Sequence, residues 1–314
     1  MRASFLPGPG VRVADKLDAH ALHGFELGGS AVLETGCVYI VPLLEGLALP
    51  ERLVGVCNPK SSTGRLDVFT RVISDGARAF DQIEAGYEGP LYAEICAQTF
   101  PVVVRTGSRL SQIRFREGDA ALGDAALAEL HREQPLVRGG EADIAEGIAL
   151  SVDLKGDEKT GLIGYRAKRH TGLVDVDVSG ALEILDYWEP IYSRGESHLI
   201  LDPDQFYILS SKEAVTIPPT HAAEMVPFNP LVGEFRVHYA GFFDPGFGYA
   251  QAGGAGARAV LEVRSHKVPF ILEDGQIIGR LIYEPLTEPP EQVYGQDIGS
   301  HYQAQGLKLS KHFK

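Results

Sequence analysis

Apolar residues in this chain come in short runs separated by polar or turn-forming positions. "VYIV" (38–41), "LYAEI" (91–95), "FPVVV" (100–104), "FYIL" (206–209), "RAVLEV" (258–263) and "RLIYE" (280–284) are rich in Val, Ile and Tyr and bounded by Gly or Pro. Such runs read as strands. Turn signals recur about every ten residues, the spacing of a sandwich or barrel. One stretch departs from this pattern. "GDAALGDAALAELHRE" (118–133) places Ala and Leu at helical spacing and runs on into the polar "RGGEADIAEG" (138–147). The pattern therefore predicts an all-β chain with one helical connector.

The strand pattern repeats. In "VLETGCVYIVPLLEGLALP" (32–50) and "ILDPDQFYILSSKEAVTIP" (200–218), Tyr39 aligns with Tyr207, Glu45 with Glu213 and Pro50 with Pro218, an offset in numbering of 207 − 39 = 168. "LYAEICAQTFPVVVRTGSRLSQIRF" (91–115) aligns with "AVLEVRSHKVPFILEDGQIIGRLIY" (259–283) at the same offset and pairs Glu94 with Glu262. Between these blocks, "IEAGYEG" (83–89) matches "FDPGFGY" (243–249) at an offset of 160, and the Gly/Ala-rich "AQAGGAGA" (250–257) restores the register. A length of 314 residues suits two domains. The expected organisation is a first domain over 1–117, a partly helical linker over 118–146 and a second domain over 147–314. The second copy has about 50 residues before the shared block, including "LSVDLKG" (150–156), and the first about 30. The first domain is expected to lack an N-terminal strand, as an internal start at Met1 would leave it.

The two copies carry different chemistry. "NPKSSTGRLDVF" (58–69) gathers Lys60, Ser61, Ser62 and Arg65 around Gly64. Arg offers paired N–H donors, Lys a point charge, and hydroxyls further hydrogen bonds, a set suited to phosphates. The matching stretch of the second copy, "MVPFNPLVGEF" (225–235), has lost it. The second copy has the tidier turn instead: "HYAGFFDPGFG" (238–248) carries Asp244 where the first has Glu84. One site drawing on both copies is the expectation. Glu94 and Glu262 both stand in apolar strands. A buried carboxylate is costly unless paired or functional, and burial moves its pKa toward the range useful for proton transfer. Strand alternation turning both to solvent is the plainer alternative. The C-terminal "VYGQDIGSHYQAQGLKLSKHFK" (293–314) has Tyr294, His301, Gln305 and Lys311, and reads as a lid over a ligand.

Composition removes several alternatives. A net charge of −13 argues against binding a nucleic-acid polymer. Cys37, Cys57 and Cys96 form neither a C-x-x-C pair nor a zinc spacing, and read as reduced, mostly packed thiols of a cytoplasmic protein. "MRASFLPGPG" is too short and too rich in Pro and Gly for a signal peptide, and no run of about 18 apolar residues exists. His20 and His23 have no further ligand nearby in sequence, so no protein-held metal is expected.

Taken together, the SSxxR cluster, the Asp-Pro-Gly-aromatic turn, the "VLE" strand, "LSVDL", the "DGQIIGRLIYE" segment and the C-terminal Y-Q-x-Q-G-x-x-x-S-K resemble the metal-independent dCTP deaminases of the dUTPase-like superfamily. The resemblance covers most of the chain as a tandem duplication. It implies two dUTPase-like distorted β-barrel or jelly-roll domains and hydrolysis of dCTP to dUTP and ammonia. It implies Glu262 as proton relay, with Glu94 as a second candidate base, and Ser61 and Arg65 helping to hold base, water and phosphates. Lys60, Ser62, Ala240, Asp244, Val260 and Leu261 would contact nucleotide, and Tyr294, His301 and Gln305 would close over the triphosphate. The family usually has Arg at Lys60 and Lys at His301. Mg²⁺ would arrive with the triphosphate, and a homo-oligomer, a trimer by the family's pattern, is expected. A dUTP pyrophosphatase, a bifunctional deaminase and pyrophosphatase, and a non-catalytic nucleotide-binding module are the alternatives.

Overall fold

The computed structural model describes residues 1–138, 140–227, 235–238, 241–249, 255–265, 267–294 and 306–314, with the backbone alone for 227 and 235–238. Ala240, His301 and Gln305 lie outside the described residues. The fold is built of strands. Its longest helix among the described residues is Asp124–Glu133, and none is long and apolar enough to cross a membrane. Two compact units emerge. One comprises 1–119, 168–187 and 310–314, and the other 120–167 and 188–309.

The sequence repeat reappears as a repeat of strand pairing. In the first unit Tyr39–Ala48 runs antiparallel to Glu88–Ala97 with Tyr39 opposite Ile95. In the second, Phe206–Val215 runs antiparallel to Ala257–Ser265 with Tyr207 opposite Val263. Both ladders break register at one place, between Pro42 and Gly46 and between Ser210 and Ala214. Leu33 opposite Val102 recurs as Leu201 opposite Phe270. Val54 opposite Arg116 recurs as Ala222 opposite Glu284. In each of these matches the numbering differs by the same offset as in the sequence repeat. Gly55 opposite Ile83 recurs as Ala223 opposite Phe243, which reproduces the shorter offset on the turn strand. Side chains follow suit. The Glu34 N–H donates to the Tyr39 hydroxyl at 3.1 Å, and the Asp202 N–H to the Tyr207 hydroxyl at 3.0 Å.

The units differ where the lead-in differs. In the second, Ile148–Ser151 pairs with Ile277–Pro285. Among the described residues of the first unit that strand has no counterpart, and the helix Val13–His20 precedes the shared strands instead. The segment expected as a linker is packed. Leu127, Leu136 and Val137 are buried in the core of the second unit, and Val137–Arg138 pairs with Ala214 and Val215. The Asp124 carboxylate accepts the N–H groups of Glu146 (2.9 Å) and Gly147 (3.1 Å), which hold it below its usual carboxylate range. Of the thiols, Cys57 is buried and Cys37 exposed, so the expectation of mostly packed cysteines fails at Cys37.

The end of the chain is likewise not loose. Ser310–Lys314 belongs to the first unit, where the Gly180 and Ala181 N–H groups donate to the carbonyls of Lys311 (2.9 Å) and His312 (3.1 Å). Phe313 packs against Tyr187 and Phe100, with ring centroids 5.4 and 6.3 Å away. His312 is 1% exposed, with Nε2 3.0 Å from the Val176 carbonyl. An aromatic ring and an imidazole that find apolar and hydrogen-bonding partners stay put. The lid expected over 293–314 therefore ends in a structural anchor. The strand Val174–Asp175 completes this region by pairing with Val102 and Val103, fastened by Arg105 to Asp175 (2.5 Å) and Asp177 (3.1 Å). Removing a fully buried Phe ring costs roughly 3–5 kcal/mol. Phe313 is half-buried, so Phe313→Ala should cost about 2 kcal/mol of stability by the same scale. Deleting 310–314 should cost more; unchanged denaturant midpoints would show that the tail does not hold this unit.

Candidate active site

In the first unit the cation and hydroxyl cluster sits on a single helical turn. Pro59 ends the strand Leu53–Pro59, Lys60 remains extended, and Ser61–Gly64 turns with Arg65 as its cap. The Lys60 N–H donates to the Leu110 carbonyl at 2.9 Å and the Thr63 hydroxyl to the same carbonyl at 3.0 Å, which ties the turn to the segment carrying Arg109. Arg65 is 5% exposed, and Lys60, Ser61 and Ser62 are half-buried. The Ser310 hydroxyl donates to the Ser62 carbonyl at 2.7 Å and so brings Lys311 to this turn. Burial first, and then the charges of Lys311 and Arg109, hold the Lys60 amine below its usual range. A concentration of like charge of this kind suits an anionic ligand. Sequence reasoning missed Arg109. It lies far beyond Lys60 in the chain, and only the strand register shows that the two segments meet.

In the second unit the Asp-Pro-Gly-Phe turn is closed by the Phe247 N–H donating to the Asp244 carbonyl at 3.1 Å. Gly246 donates to the Ile217 carbonyl and the Ile217 N–H returns to the Phe247 carbonyl, at 3.0 and 2.8 Å. The turn is thus fixed on its inner side while the Asp244 side chain stays exposed. Phe247 is buried against Phe243 at 5.1 Å and Tyr294 at 5.8 Å. The Tyr294 N–H donates to the Pro245 carbonyl at 2.8 Å. Gly246 is at φ +94°, where the passing chain at Val293 and Tyr294 leaves no room for a side chain. The fold thus brings Asp244 and Tyr294 to one turn.

Glu262 lies mid-strand in Ala257–Ser265 and is 4% exposed. Its neighbour Leu261 points into the core with Ala259 and Val263, so Leu261 has only its backbone to offer a ligand. Val260 shares the face of Glu262. The matched Glu94 is 2% exposed, so neither glutamate turns to solvent. Glu94 has a cation opposite it in register: Arg71 donates from Nε at 3.1 Å and from Nη2 to the same oxygen, Oε1. The residue opposite Glu262 in register is His238. Among the described residues no group of three or more His, Cys, Asp or Glu is arranged to hold a metal ion. An open cavity of about 350 Å³ on the second unit, lined in part by Arg166, Glu189, Tyr192 and His198, contains none of the candidate residues.

Comparison with known proteins gives a consistent result. Residues 1–119 match the family model described as 2'-deoxycytidine 5'-triphosphate deaminase N-terminal domain, and residues 123–313 that of the C-terminal domain. A protein of Streptomyces coelicolor named "dCTP deaminase, dUMP-forming" is 30% identical over 43% of this chain and 70% of its own length. One of the same name from Halobacterium salinarum is 32% identical over 39% of this chain, and the match spans 60% of that relative. The crystal structure of 2'-deoxycytidine 5'-triphosphate deaminase from Agrobacterium tumefaciens is 64% identical, with a TM-score of 0.88, covering 93% of this chain and 86% of that one.

The turn at Gly246 offers a direct check on the geometry. A Cβ there would sit 2.9 Å from the Val293 Cβ and 3.0 Å from the Tyr294 carbonyl oxygen. Gly246→Ala should push the 293–294 segment off the turn and raise amide hydrogen exchange at Tyr294 at least tenfold, equivalent to about 1.4 kcal/mol. Unchanged protection at Tyr294 would contradict the packing described.

Proposed function

The chain belongs to the dCTP deaminase family, and we propose that it hydrolyses dCTP to dUTP and ammonia. Water adds its oxygen to C4 of the cytosine ring, the C4–N bond breaks, and the amino group leaves as ammonia. A group that takes a proton from water and returns one to the departing nitrogen serves both halves of this exchange. Glu262 is the proposed relay. The observation that carries the reading is its burial, at 4% exposure, in the middle of a strand of a chain with this family match. Withdrawal from water strengthens its interaction with a developing positive charge.

The remaining roles are those the family resemblance implies. Ser61 and Arg65 are proposed to hold base, water and phosphates, Val260 and Ala240 to border the ring, and Asp244 to accept a hydrogen bond from the deoxyribose hydroxyl. Lys60, Ser62, Tyr294, His301 and Gln305 are proposed for the triphosphate, accompanied by Mg²⁺. The chain has no H-x-E with P-C-x-x-C, the zinc-deaminase signature, so the carboxylate is assigned the task of activating water. A trimer is the proposed assembly. The names of the Streptomyces and Halobacterium relatives favour a second reading, in which the same chain also cleaves the phosphate chain and releases dUMP and pyrophosphate.

Incubation with dCTP, with ammonia, dUTP, dUMP and pyrophosphate measured together, separates the readings. Ammonia with stoichiometric dUTP supports the first, ammonia with dUMP and pyrophosphate the second, and tight binding without either a non-catalytic module. Glu262→Gln should lower ammonia release by about 10²–10⁴-fold with dCTP binding kept, the usual range for a lost acid–base group. Near-normal turnover would remove Glu262 from the mechanism. Arg65→Ala should weaken dCTP binding more than deoxycytidine binding; equal losses would count against a phosphate role.

A further inference from the structure

The two matched glutamates occupy the same place in the same ladder. Glu94 stands between Ile40 on one side and Arg71 on the other, and Glu262 between Ile208 and His238. What covers the face of Glu94 is visible within the first unit. Tyr92 and Ile73, beside Glu94 and Arg71 on their strands, join Ile40 in an apolar cluster with Phe5, Val13, Leu17, Ala77 and Phe80. Phe5, Val13 and Leu17 come from the N-terminal segment, which ends with the helix Val13–His20. The Arg71 guanidinium lies 3.8 Å over the Phe80 ring and donates to the Ser4 hydroxyl at 3.1 Å.

The N-terminal segment is fastened along its length. The Met1 amine donates to the Val38 carbonyl at 2.8 Å, Gly8 N–H to the Ala77 carbonyl at 3.1 Å, and Val13 N–H to the Asp75 carboxylate at 2.7 Å. The Gly76 N–H closes the set on the Val11 carbonyl at 2.9 Å. Val13, at 0% exposure, is part of the core. The N-terminal segment therefore covers the sheet face that, at the matched positions Ile208, Val260 and Glu262 of the second unit, carries the proposed chemistry.

We propose that the first unit's counterpart of the Glu262 site is closed: Glu94 is a structural ion-pair partner of Arg71 beneath the N-terminal segment, and this position takes no nucleotide. The inference rests on the deamination reading for the role of Glu262 alone; the pairing of Glu94 stands on geometry. A guanidinium does not give up its proton at any ordinary pH. Two N–H groups of this guanidinium, Nε and Nη2, are committed to the Glu94 Oε1 atom, so the carboxylate is held in place as an ion-pair partner. Phe5 and Phe80 pack on this face with Ile40 and Tyr92, and Phe80 lies under the Arg71 guanidinium.

Two measurements on the full chain test this. The first is a thermal-unfolding cycle of Arg71→Met, Glu94→Gln and the double variant. Arg71→Met leaves the buried Glu94 carboxylate without its cation and should lower the midpoint by several degrees, while Glu94→Gln leaves the partly exposed Arg71 without its ion-pair partner and should lower it by less. The double variant should fall short of the sum of the two shifts, whereas additive shifts would overturn the pairing. The second is equilibrium dialysis of Glu262→Gln with dCTP. One nucleotide per chain is expected, and two per chain would overturn the closure. No binding at all would count against the deamination reading, and the unfolding cycle would then decide the pairing by itself.

Discussion

A carboxylate in the middle of a buried strand is the constraint around which this structure is organised. Removing it from water is costly without a cation, a hydrogen-bond set or a neutralising proton. Such a carboxylate stands at two matched places, with a different residue across the ladder in register at each. At Glu94 the partner is Arg71, whose charge is permanent. At Glu262 the opposing position is His238, a residue type whose charge is exchangeable. One scaffold thus supports a fixed ion pair in one unit and a proposed proton relay in the other.

The scaffold has to hold register for this to work, because a slip of one residue turns every side chain to the opposite face. Matching ladders, with a matching irregularity after Pro42 and after Ser210, keep both glutamates on the face away from Leu91 and Leu261. The elements unique to each unit then decide what lies on that face. In the first it is the segment around Phe5 and Val13.

Much of this was legible in the sequence. The two numbering offsets of the repeat translate directly into paired positions, since strand length and turn position are local properties written in Val, Ile, Gly and Pro. The all-β class and the grouping of Lys60 with Arg65 follow from the same local signals, and the dUTPase-like form from the motif resemblance. Long-range partners were not legible. Arg71 meets Glu94 from a neighbouring strand and Arg109 nears Lys60 only through a strand return, so neither leaves a local pattern. The tail misled for a different reason. Polar composition suggested a lid to its end, but Phe313 and His312 find an aromatic cluster and a buried carbonyl supplied by residues far earlier in the chain.

On the proposed reading the two glutamates have different tasks, Glu262 as proton relay and Glu94 as ion-pair partner of Arg71. The most direct test is the rate of ammonia release from dCTP by Glu262→Gln and Glu94→Gln chains, compared with the unaltered chain at a temperature at which all three are folded. The account predicts that release is lost with Glu262→Gln and kept with Glu94→Gln. Equal losses in both, or a loss confined to Glu94→Gln, would contradict it.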